Sequence, residues 1–92
     1  MIQSFGDRET RDLYRGVPCR RWAHIEGPAM RKLAMLDYAK RLADLRIPPS
    51  NRLKPLKGPL AGYHSIRIND QFRVVFVWRD DHAHHVRIVD YH

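Results

Sequence analysis

Cysteine is nearly absent: Cys19 stands alone among 92 residues, which excludes an internal disulfide and any zinc or iron–sulfur cluster built on cysteines. A lone thiol suits a reducing compartment, so a cytoplasmic location is expected. Long apolar runs are also missing, which argues against a membrane span. Residues 1–9 hold no apolar stretch of the kind that a secretory signal needs. There are no internal repeats and no low-complexity tracts. The length suits one small domain over residues 1–92, and it leaves little room for the large clefts of cofactor-binding folds.

Acidic residues are in short supply. Ten Asp and Glu face seventeen Lys and Arg, a net charge of +7. That imbalance points to a polyanionic partner, most simply a nucleic acid. Its distribution says more than its size. From Arg46 to Arg73 the cations Arg46, Arg52, Lys54, Lys57, Arg67 and Arg73 meet one acid, Asp70.

The pattern of apolar residues predicts an α+β architecture, with two N-terminal helices packed on a small curved antiparallel sheet in the order β-α-α-β-β-β. Ile2, Ser4 and Phe5 read as a first strand. Asp7 is a good N-cap for a short helix that runs to about Arg15 and stops at Gly16-Val17-Pro18. A second helix opens at Gly27-Pro28. Its apolar arc of Ala34, Met35, Leu36, Tyr38, Ala39, Leu42, Ala43 and Leu45 predicts that it continues to Ile47, with Asp37/Arg41 and Lys40/Asp44 pairing on the outer face. Four prolines and two glycines between Pro48 and Gly62 predict a long irregular loop, and such loops tend to carry function. Period-2 alternation then marks strands over 63–68, 72–79 and about 85–91, joined by turns at Asn69-Asp70 and Asp80-Asp81-His82.

Three features could carry chemistry. Arg73 sits among Phe72, Val74 and Val75, where a guanidinium is costly to bury unless it is paired or faces an open site. It suits either a structural salt bridge to Asp90 or Asp70, or a clamp whose planar fork matches two phosphate oxygens. The run Asp90-Tyr91-His92 gathers a carboxylate, a phenol and an imidazole, and an imidazole titrates near neutrality as acid–base catalysis requires. The same three residues could equally be a frayed chain end. In the loop, Lys54 and Lys57 are spaced so that both could reach one phosphate, with Leu53 and Leu56 as anchors. His82, His84 and His85 lie in or beside one turn with Asp80 and Asp81. They read as a solvated turn, because a structural metal site draws ligands from two elements.

Taken together, several segments resemble the HigB toxins of the RelE/ParE superfamily, the toxin half of bacterial type II toxin–antitoxin modules. They are Met1-Ile2-Gln3-Ser4-Phe5, Arg31-Lys32-Leu33-Ala34-Met35-Leu36-Asp37, Asn51-Arg52-Leu53-Lys54-Pro55-Leu56-Lys57-Gly58, Gly62 to Arg73, and Val89-Asp90-Tyr91-His92. The resemblance implies an mRNA endonuclease that acts in the ribosomal A site without metal or cofactor. The RNA 2′-hydroxyl would attack its neighbouring phosphate and leave a 2′,3′-cyclic phosphate. His92 would be general acid or base, and Arg73 would stabilise the phosphorane. Lys57 and Lys54 would hold the scissile phosphate or assist proton transfer, while Asp90 and Tyr91 would orient the imidazole or the nucleotide. Arg52, Arg67 and His64 complete the expected RNA and phosphate contacts. Some members carry histidine where Lys54 stands and a basic residue where Leu60 stands, so His92 is the main imidazole candidate unless His64 contributes. The implied partners are a HigA-type helix-turn-helix antitoxin, the ribosome and mRNA, with no membrane, and the toxin alone is expected to be a monomer. The alternatives are a ParE-like toxin directed at gyrase and an RNA-binding module without chemistry.

Overall fold

Asp7 starts the first helix as its residue type predicts. In the computed structural model, which describes residues 1–91, the Asp7 carboxylate accepts a hydrogen bond from the Thr10 amide at 2.8 Å. Helix α1 spans Arg8–Tyr14. Gly16 takes φ +78°, and the Gly16 and Val17 amides donate back to the Leu13 and Asp12 carbonyls. That pattern closes a helix C-terminus and favours glycine at the left-handed position. Helix α2 spans Glu26–Tyr38 and buries Ala29, Leu33 and Leu36.

The second helix is shorter than its apolar periodicity suggests. It ends at Tyr38, where Ala39 turns extended at ψ 133°, and a separate 3-10 turn covers Leu42–Arg46. The cause lies in Asp44, whose side chain accepts from the backbone amides of Lys40 and Arg41 at 3.0 and 3.1 Å. A carboxylate bonded to those amides caps a new turn rather than continuing the old one. Tyr38 is consequently exposed while Ala39 and Leu45 are buried.

Asp37 does not pair with Arg41 on an outer face either. Its two oxygens accept from the Ile2 amide at 2.8 Å and from the Tyr14 hydroxyl at 2.6 Å, tying the N-terminal segment and α1 to α2. Burial and the Asp37 charge push the Tyr14 phenol well above its ordinary range. Asp37→Ala strands both donors, and chemical denaturation should show a loss of about 1–3 kcal/mol.

Four strands form one antiparallel sheet in sequence order: β1 (Lys54–Pro55), β2 (His64–Arg67), β3 (Phe72–Arg79) and β4 (His82–Asp90). The edge strand β1 comes from the stretch expected to be an irregular loop. Its Pro55 lacks a donor and is tolerated at an edge. Conversely, the expected strand at Ile2–Phe5 is reduced to two isolated parallel bridges, Ile2 to Ala83 and Phe5 to Val86. Asp80 and Asp81, at φ 54° and 62°, make a two-residue turn that suits the twist of the β3–β4 hairpin. His85, also at positive φ, marks an irregularity in register opposite Val75–Val77. The helices cover one face of the sheet, where Leu33, Leu36, Ile66, Val74, Phe76 and Val86 form the centre of the core. Trp22 is buried there too, edge-on to Phe72 with ring centroids 5.4 Å apart. Among the described residues, no helix is long and apolar enough to cross a membrane.

Candidate active site

Strand alternation builds the site. Ile66, Val74 and Phe76 point into the core, so Ser65, Arg67, Arg73 and Val75 share the opposite face. The register sets Arg67 directly across from Arg73 and Ser65 across from Val75. Pairing of Lys54 with Ser65 brings the loop cation to the same face. Like charges directly opposite one another are unfavourable in a sheet. Arg67 relieves part of that cost by forming an ion pair with Asp70.

Arg73 is only 7% exposed. Its Nε donates to the Ser65 hydroxyl at 2.8 Å, and its Nη2 donates to the Arg52 carbonyl at 2.7 Å. Both acceptors are neutral, so these bonds fix the guanidinium without cancelling its charge. Burial lowers the Arg73 pKa; proximity to Tyr91 opposes that effect, and the Arg67 and Arg52 charges reinforce it. The Tyr91 amide donates to the Gln71 carbonyl at 2.8 Å, which holds the Tyr91 ring beside two cations. Lys54 Nζ lies 4.6 Å from the ring centroid and Arg73 Cζ lies 5.7 Å from it, both within cation–π range.

These groups border a cleft of about 280 Å³ lined by Arg52, Arg67, Asn69, Asp70, Arg73 and Tyr91. Its walls carry three guanidiniums and one carboxylate, the chemistry of an anion site. A larger groove, about 390 Å³, runs beside α1 and carries Arg8, Arg11 and Arg15. There Arg8 and Arg11 already face Asp12, so the smaller cleft is the stronger anion site.

The structure therefore gathers Arg52, Lys54, Arg67, Arg73 and Tyr91. Lys57 stands exposed just before the 3-10 turn Gly58–Leu60. Asp90 ends β4, and its carboxylate accepts from Gln71 Nε2 at 3.1 Å. His92 lies outside the described residues. His64 is not brought to the cleft. It alternates with Ser65 and stacks on Phe76 at the core side, with ring centroids 6.2 Å apart and planes 24° apart. Its Nδ1 is buried without a hydrogen-bond partner among the described residues, and burial lowers its pKa below 6.5. The unfolded chain thus binds a proton at His64 more readily than the folded one, and stability should fall as pH drops below about 6.5. Melting temperatures between pH 5 and 8 should show this fall, and His64→Gln should flatten it.

Two residues escaped the sequence reading. Ser65 was legible only as a polar position between strand residues. Asn51 was hidden inside a Pro-rich stretch. Asn51 is fully buried, accepts from Lys32 Nζ at 2.6 Å and donates to the Leu45 carbonyl at 3.1 Å.

Comparison with known proteins follows the same lines. Residues 3–92 match the family model of HigB-like toxins, described as RelE-like toxins of type II toxin–antitoxin system HigB. The chain belongs to the HigB-like toxin family. Over 56 residues, 61% of its length, it is 52% identical to Toxin HigB-1 of Vibrio cholerae serotype O1, and the match spans 59% of that protein. An uncharacterized protein of Haemophilus influenzae is 32% identical over 56 residues, 55% of its own length. The chain thus spans under two thirds of these curated relatives. Two solved structures share the fold. The YoeB-YefM complex from Staphylococcus aureus aligns with all of this chain and 98% of that one, with TM-score 0.58 and 20% identity. The YoeB/ParE toxin from Agrobacterium tumefaciens aligns with 99% of this chain and 100% of that one, with TM-score 0.54 and 19% identity. They share the fold of this chain, two helices against an antiparallel sheet.

Proposed function

We propose that this HigB-like toxin is a ribosome-dependent mRNA endonuclease. The observation that carries the reading is Arg73, a buried cation fixed by two neutral oxygens at the wall of an open basic cleft. A scissile phosphate supplies the negative charge that this arrangement lacks. In the reaction the RNA 2′-oxygen bonds to the adjacent phosphorus, the bond from phosphorus to the 5′-oxygen breaks, and a 2′,3′-cyclic phosphate and a 5′-hydroxyl result. Negative charge grows on the non-bridging oxygens, and Arg73 with Lys54 opposes it. His92, next in the chain after Tyr91, serves as general acid or base. Asp90 and Tyr91 orient it or the nucleotide, Lys57 supplies a further cation, and Arg52 and Arg67 hold flanking phosphates. The RNA carries its own nucleophile, so this route needs no metal or cofactor. The ribosome supplies the alignment that a shallow cleft does not.

The second partner is an antitoxin of the HigA type, in keeping with the complexed state of the Staphylococcus aureus structure. The test is incubation of the purified toxin with translating ribosomes. Message cut within the A-site codon, with cyclic-phosphate ends, supports the reading. Intact message together with DNA damage in induced cells favours a gyrase-directed toxin, and intact message with salt-sensitive RNA binding favours a module without chemistry.

A further inference from the structure

The Arg73 guanidinium has two working edges. One is the side edge formed by Nε–H and the nearer Nη2–H. The other is the end edge formed by Nη1 and the outer Nη2–H. Nε–H meets the Ser65 hydroxyl and one Nη2–H meets the Arg52 carbonyl, while no hydrogen-bond acceptor stands at Nη1 among the described residues. Both acceptors are themselves fixed. Ser65 is fully buried and lies mid-ladder between Lys54 on one side and Val75 on the other. Arg52 follows Asn51, which is held by Lys32 from α2 and by the Leu45 carbonyl. The Arg52 backbone itself takes a left-handed φ of 47°, an uncommon conformation that turns the chain at this point. Lys32 is half-buried, and burial with the Arg31 and Arg67 charges lowers its pKa.

We propose that Ser65 is a positioning residue, which with the Asn51-held Arg52 carbonyl commits Nε–H and one Nη2–H of Arg73 to the protein and leaves Nη1 and the other Nη2–H for a phosphate. The role rests on the endonuclease reading for its effect on rate, though not for its effect on Arg73. A carboxylate in the place of Ser65 would orient the guanidinium equally well but would neutralise it. A hydroxyl orients it and preserves the charge. Ser65→Ala leaves Nε–H without its acceptor and frees the planar group to rotate about its last side-chain bonds. Misplacement of a catalytic group by about 1 Å can cost about a hundredfold in rate.

The experiment pairs two readouts on the full chain. Cleavage of a message on translating ribosomes should drop by about tenfold to a hundredfold for Ser65→Ala, in kcat rather than in KM. Ser65→Thr, which keeps the hydroxyl, should restore most of the rate. In parallel, the Arg73 Nε–H signal in nitrogen-edited NMR should shift and lose exchange protection in Ser65→Ala and keep both in Ser65→Thr. An Ala variant with wild-type kcat, or with an unchanged Arg73 signal, overturns the positioning role. If the wild-type protein cuts no message at all, the endonuclease reading fails, and the NMR comparison still decides whether Ser65 sets Arg73.

Discussion

Arg73→Met should cost about 100- to 1,000-fold in cleavage of translated mRNA and abolish growth arrest, with the fold intact. The magnitude is that of removing one preorganised donor from a site where charge develops in the transition state. Methionine keeps the apolar stem that crosses the sheet face and discards the fork. Stability pulls in two directions. The variant orphans the Ser65 hydroxyl and the Arg52 carbonyl, and it also removes a buried charge that those neutral partners do not cancel. The melting temperature should stay within several degrees of wild type, as circular dichroism would show. Arg73→Lys should fare little better in cleavage, because an ammonium cannot hold both anchors and still present a planar pair of donors to a phosphate. Full toxicity in either variant would remove Arg73 from the chemistry.

The second large effect is on RNA affinity. Arg52, Lys54 and Arg73 face the cleft or its rim, Lys57 stands exposed three residues after Lys54, and Arg67 is partly matched by Asp70. If about four of these cations meet phosphates of a single strand, the logarithm of affinity should fall with the logarithm of salt at a slope of about −3. Raising salt from about 50 to about 200 mM should then weaken binding by about 60-fold. Fluorescence anisotropy with a short labelled RNA measures this directly. Lys57→Ala should flatten the slope by somewhat less than one unit. Binding insensitive to salt would mean that the basic cluster does not track a phosphate backbone.

Much of the fold was legible in the sequence because local chemistry and tertiary demand agree. Asp7 caps where an N-cap residue should, Gly16 closes α1, and alternation along Phe72–Trp78 sorts core from site. Two misreadings share a cause: a carboxylate found partners that periodicity does not register. Asp44 capped a new turn and cut α2 short, and Asp37 was claimed by Ile2 and Tyr14 from far away in the chain. β1 was invisible because a two-residue strand has no period, and its partner β2 supplies the order. At the site, Arg73 was recognisable as a charge out of place, with a carboxylate pair and a phosphate clamp both open, and its hydrogen-bond partners in the fold are Ser65 and the Arg52 carbonyl. His64 was expected to contact RNA on the strength of the resemblance, and its parity along β2 sets it against Phe76.

On the proposed reading, the phosphate to be cut sits against the uncommitted donors of Arg73, Nη1 among them. A crystal structure of the toxin with a short RNA carrying a 2′-deoxy residue at the cutting position tests it most directly, since the substrate binds but lacks its nucleophile. The scissile phosphate should lie within hydrogen-bond distance of the Arg73 guanidinium, with Lys54 and Tyr91 beside it. A phosphate seated elsewhere, with the cleft between Arg52, Arg67 and Arg73 empty, would contradict it.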